Sequence, residues 1–193
     1  MKSNVCRIEN GTRDLAAILK ESERVAEYNG LTHKQSLQLR LLCEELDGML
    51  PEIIDEFDGE LWIEFENGVC RINASIEFSE FTVEKKKNLI AVAKNKKNAA
   101  AAGVVGKIRS AVENFFLDGE TPPVYTVSSA GYGRVANYTC IWSLVDYIGS
   151  VKKEERGESW DELEKSVIAS VADDVIVGVK GKRADIIIVK KFV

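Results

Sequence analysis

The chain has 193 residues, 45% of them hydrophobic and 30% charged, with a formal net charge of −5. That length suits one domain with a substantial core. The net negative charge argues against nucleic acid or an anionic membrane as partner. No apolar run approaches the length of a membrane span, and the opening MKSNVCRIENGTRD lacks the apolar centre of a signal peptide. Cys6, Cys43, Cys70 and Cys140 are scattered, and with His33, the chain's one histidine, they form no metal set. They read as reduced, mostly buried thiols of a cytoplasmic protein.

The first helix is expected over residues 13–27. Leu15, Ile18, Leu19, Ser22, Val25 and Ala26 make one stripe, and Asn29-Gly30 is a stop signal. Thr32 and Gln35 then form a capping-box pair that opens a second helix. Leu39, Leu42, Leu46 and Met49 share one face of it, and Pro51 is expected to break it or start a short turn. His33, in the first turn, is assigned no role.

Residues 60–78 carry the clearest local signal. Two apolar-alternating runs flank Asn67-Gly68, a preferred two-residue hairpin turn. In that register Phe65 faces Cys70, Ile63 faces Ile72 and Leu61 faces Ala74, all on one face, while Glu64 meets Arg71 on the other. A slip of one residue would bury the charges instead.

Thr82 is expected to cap a third helix over 83–93, leading into KNKKNAAAAGVVGK at 94–107. A cationic, glycine-containing entry into a helix suits an anion, because unbonded backbone N–H groups and the helix dipole point outward there. Val105, Ile108, Val112 and Phe115 continue as an apolar stripe. The spacing Gly103-x-x-Gly106-Lys107 is neither a P-loop nor a dinucleotide fingerprint. A loop follows at 118–123, and 124–138 has no assignable structure. A helix is expected over 141–151, with Ile141, Leu144, Val145 and Ile148 on one side, and a charged loop over 152–158. Ser159 and Glu162 cap a helix from 160 to about 172. A second hairpin closes the chain around Gly181-Lys182, pairing Val175 with Ile188, Val177 with Ile186 and Val179 with Ala184. The fold read from these elements is an α+β two-layer sandwich: a mixed, mostly antiparallel sheet covered by helices on one face. The whole chain reads as one domain, with 118–158 as an insertion.

This order of elements resembles the Bergerat-fold ATP-binding domain of histidine kinases, anti-sigma-factor serine kinases, gyrase and Hsp90-type chaperones. LLCEELDGML at 41–50 resembles the family's N-box helix. There Glu44 matches the catalytic Glu, and Gly48 stands where a Mg²⁺-binding Asn belongs. Gly103, Gly106 and Lys107 resemble the last glycine box, which cradles ATP phosphates. Residues 94–102, with Lys97 and Asn98, would occupy the place of the mobile ATP lid. The Asp-x-Gly-x-Gly box that reads adenine is absent. More loosely, the whole chain resembles a family of bacterial ATP-binding-like proteins, which supplies no function.

The resemblance implies ATP or another nucleotide as cofactor, a regulatory protein partner and a homodimer. The missing Asn argues against Mg²⁺, since phosphoryl transfer depends on positioning and on neutralising phosphate charge. Three function classes follow. One is a nucleotide-binding regulatory domain with degenerate catalysis. The second is an active ATPase or serine kinase whose missing ligands come from residues such as Asp47 or Asn98. The third is a protein-interaction module that keeps the fold without the ligand. The altered motifs favour the first and third over an enzyme.

Overall fold

In a computed structural model the described residues are 1–9, 14–54, 56–77, 103–118, 139–150, 166–180 and 182–192. In chain order they form β1 (Cys6–Glu9), α1 (Leu15–Tyr28), α2 (His33–Ile53), β2 (Asp58–Glu66), β3 (Val69–Glu77) and α3 (Gly103–Asp118). Then come β4 (Thr139–Ser143), α4 (Leu144–Ser150), α5 (Val167–Val171), β5 (Asp174–Lys180) and β6 (Arg183–Lys191). The expected helix over 83–93, the stretch 94–102 and the loops at 119–123 and 152–158 lie outside the described residues. So do 124–138 and the cap at Ser159.

The strands form one sheet in the order β1-β2-β3-β6-β5-β4. Every described pairing is antiparallel, where the sequence reads as a mixed, mostly antiparallel sheet. Both hairpins adopt the expected register, residue for residue. Asn67 at φ 50° and Gly68 at φ 76° make the turn that the Asn-Gly pair favours. The hairpins meet along β3 and β6, with Ile72 opposite Ile188 and Ala74 opposite Ile186.

Alternation sends Leu61, Ile63, Ile72, Ile76, Val175, Val177, Ile186 and Ile188 to one face, where all are buried. The buried residues of α1, α2, α3 and α5, among them Ile18, Leu42, Leu46, Ile108 and Ile168, join the same core. The described helices therefore cover one face of an α+β sheet. A small second cluster, Ile176 and Val189 with Val69 and Ile187, lies on the opposite face.

The helix ends follow from their sequences. Asp14 accepts from the Ala17 N–H at 3.0 Å to start α1. Its end is a Schellman motif: Leu31 N–H bonds to Ala26 O and Gly30 N–H to Glu27 O, with Gly30 at φ 64°. Thr32 and Gln35 close the expected capping box on α2. Pro51 does not break α2, which runs on to Ile53. The missing N–H there removes one bond near the helix end, and Ile54 N–H still reaches Leu50 O at 3.0 Å. Arg109 of α3 donates to Glu52 O at 3.2 Å, placing a cation on the carbonyl end of α2.

Three other expectations change. Residues 139–143 are a strand, so the expected helix from 141 starts only at Leu144. The pairing of β4 with β5 shifts register between Cys140 and Trp142. Ser143 then turns the chain, and Asp174 from β5 accepts from Ser143 Oγ at 3.1 Å and from Val145 N–H at 3.2 Å. A cap supplied from a distant strand fixes where α4 begins, and Val145 and Ile148 point outward. Ser166 is extended and caps α5, so no single helix runs through it from 160 to 172. In α3 the buried stripe is Val104, Ile108 and Val112, with Val105 only partly buried.

Asp174 is almost completely buried. Desolvation pushes its carboxyl above the usual range, with Asp146 adding to the rise, while hydrogen bonds from Val145, Ser143 and Val175 oppose it. A raised folded-state value means that stability from this group is present in acid. It is lost as pH rises through the folded-state value. Asp174→Asn keeps an acceptor and is expected to flatten that acid-side dependence, read from denaturation midpoints across pH. Asp174→Ala strands the Val145 and Val175 N–H groups and should cost about 1–3 kcal/mol at neutral pH. A pH profile unchanged in Asp174→Asn would contradict this.

Candidate functional site

The nucleotide-like elements converge on α2 and α3, two helices that pack against each other above the sheet. Gly103 opens α3 at φ 72°, a left-handed conformation that a side chain would strain. A Cβ there would meet nothing within 4 Å. The N–H groups of the following turn have no partner inside the helix. Val104 and Ile108 are buried in the main core, which pins that turn to the sheet. Gly103, Gly106 and Lys107 thus share the start of one core-anchored helix.

Lys107 does not simply project into solvent. Its Nζ lies 5.4 Å from the centroid of the Tyr147 ring, a cation–π contact between α3 and α4. Tyr147 in turn lies 6.1 Å from Trp142 of β4. Nothing in the sequence of 141–151 marks Tyr147 as a site residue, since this contact depends on the position of α4.

Glu44 is half-buried on α2, and its Oε1 accepts from Arg40 Nε at 3.1 Å. Arg40 also reaches Glu23 of α1 at 3.1 Å, so Glu44 belongs to an ion-pair chain linking the first two helices. The i,i+4 spacing of Arg40 and Glu44 is the signal that could have revealed this pair. Glu44 stands eight residues before Glu52, where Arg109 binds, or about 12 Å along the axis. Gly48, one turn after Glu44, is exposed, and a Cβ there would meet nothing within 4 Å. Asp47 is buried, 5% exposed. Lys97 and Asn98 lie outside the described residues.

Among the described residues no group of three or more His, Cys, Asp or Glu could hold a metal ion. No helix among them is long and apolar enough to cross a membrane. Cys43 and Cys70 are buried, and burial pushes the Cys70 thiol up to about 12 and that of Cys43 well above its ordinary value. Such thiols are inert rather than nucleophilic. The chain matches no family model, no curated protein and no solved structure.

Proposed function

We propose that the chain is a nucleotide-binding-type regulatory domain with degenerate catalytic motifs, resembling the ATPase domains of anti-sigma-factor kinases and histidine kinases. It holds a polyphosphate group at the first turn of α3 and does not turn it over. The observation that carries this reading is the left-handed Gly103 opening a core-anchored helix, with Lys107 close behind it. That geometry suits an anion, and the dipole of a 16-residue helix stands behind it. Chemistry is absent in this reading because position 48 lacks an oxygen ligand and Glu44 is held by Arg40. A cytoplasmic location, a regulatory protein partner and a homodimer belong to the same proposal.

Calorimetry on the full chain tests it with tripolyphosphate, ATP, ADP and GTP, each with and without Mg²⁺. Binding is expected to be weak, no tighter for ATP than for tripolyphosphate, and little changed by Mg²⁺. Lys107→Glu should weaken it about tenfold, which is about 1.4 kcal/mol. Glu44→Ala should leave it unchanged. Gly48→Asn fits the open space at that position and should introduce a dependence on Mg²⁺. Tight, adenine-specific, Mg²⁺-dependent binding, or turnover lost in Glu44→Ala, would make the chain a working ATPase or serine kinase. A ligand-free interaction module is the second reading. It is favoured by one observation: Glu44 and Lys107 are both engaged within the protein, on Arg40 and Tyr147. Absence of saturable binding by every polyphosphate would select it.

A further inference from the structure

One side chain joins the first turn of α3 to the aromatic pair beside it. In a helix the Cα–Cβ bonds tilt toward the N-terminus, so residues four apart share a face. A long side chain therefore leans back over the turn before it. Lys107 stands four residues after Gly103, and this rule would lay its side chain over the first turn. The structure puts it elsewhere. A Cβ added at Gly103 would meet nothing within 4 Å, so the Lys107 side chain does not rest there. Its ammonium lies 5.4 Å from the centre of the Tyr147 ring. Among the described residues Lys107 forms no ion pair that would compete with the ring.

The ring is fixed from several sides. Leu144, the first residue of α4, is buried in the main core. Asp174 accepts from Ser143 Oγ and from the Val145 N–H, and Ser143 Oγ accepts in turn from the Asp146 N–H at 3.4 Å. Trp142 of β4 backs the ring, with 6.1 Å between centroids and 36° between planes. The start of α4 is thus tied to β5 and to the core, and Tyr147 presents a standing π face to α3. Lys107 and Tyr147 are both half-buried. Partial exclusion of water strengthens the attraction between an ammonium and an aromatic face.

We infer that the Tyr147 contact is autoinhibitory: the ring holds the Lys107 ammonium away from the first turn of α3, and a polyphosphate must win it back to bind. The inference rests on the proposal that this turn receives a polyphosphate, and it names how that binding is restrained. The ring attracts the ammonium through its quadrupole, whereas a phosphate offers full charge and lone pairs. Phosphate is the stronger partner, so the ring weakens binding without abolishing it. The contact between α3 and α4 is given up each time the site fills. Occupancy is thereby coupled to the packing of α4, an element that carries no other part of the site.

The test is calorimetric titration of the full chain and its variants with tripolyphosphate at low ionic strength. Tyr147→Leu and Tyr147→Met keep apolar bulk and remove the π face. Both are expected to bind about two- to fivefold more tightly than wild type, the worth of a partly exposed cation–π contact. Tyr147→Phe retains the face and should bind as wild type does. Lys107→Met should bind more weakly, and adding Tyr147→Leu to it should change nothing, because the ring acts only through the ammonium. Denaturation midpoints check that each variant is folded. Binding seen only after Tyr147 is replaced would also support the inference. If neither wild type nor the Leu and Met variants bind, the polyphosphate reading fails and the inference with it. If wild type binds and those variants are no tighter, or if Tyr147→Leu tightens binding equally without Lys107, the autoinhibition alone is overturned.

Discussion

Truncating Ile72 to alanine is expected to destabilise the protein by about 2–5 kcal/mol. Ile72 is fully buried on β3, between Ile63 of β2 and Ile188 of β6. It sits where the two hairpins join. The deletion removes apolar area that the helices cover and leaves a void that two paired strands cannot close without moving. The denaturant midpoint should fall while the slope of the transition stays constant. Wild-type stability in this variant would contradict the core as described.

Gly59→Ala is the second large effect. Gly59 lies on β2 between Ile8 and Ile76. A Cβ there would sit 2.3 Å from Ser75 O and 3.0 Å from Ile76 Cα, both backbone atoms. No flexible side chain can yield, so β2 must shift against β3, at a cost of about 1–3 kcal/mol from overpacking. Faster hydrogen exchange at the Ser75–Glu77 amides should accompany the loss of stability. An alanine variant with unchanged stability and exchange would show that the strands have slack at this point.

The parts of the fold legible in the sequence were those whose signals are local. Asn67-Gly68 and the one-sided apolar runs determine the hairpin register, because only that register buries Ile63 and Ile72 together. Thr32 and Gln35 act within one turn. The parts missed or misread depend on distant residues. β1 is only four residues long, and it is held mainly by its pairing with residues 58–61 of β2. The apolar run from Ile141 fits a helical period, and only Asp174, 31 residues beyond Ser143, decides that helix α4 starts at Leu144. Pro51 looked like a stop, but it falls so near the end of α2 that the helix tolerates it. The candidate site divides in the same way. The glycines of α3 were legible as a helix start, whereas the Tyr147 ring over Lys107 is a product of topology.

The lengths of the strands have a consequence for solubility under stress. The nine-residue strands β2, β3 and β6 all lie inside the sheet, whereas the described borders are the four-residue β1 and the five-residue, irregular β4. Short or bulged borders are poor templates for recruiting a strand from another molecule. Residues 1–9 extend this protection: Met1 and Ser3 also bond to the β2 backbone at Phe65 and Ile63. Stripping them away would expose a long, regular border to neighbouring chains, turning a sheet with blunted sides into a seed for fibrous self-association.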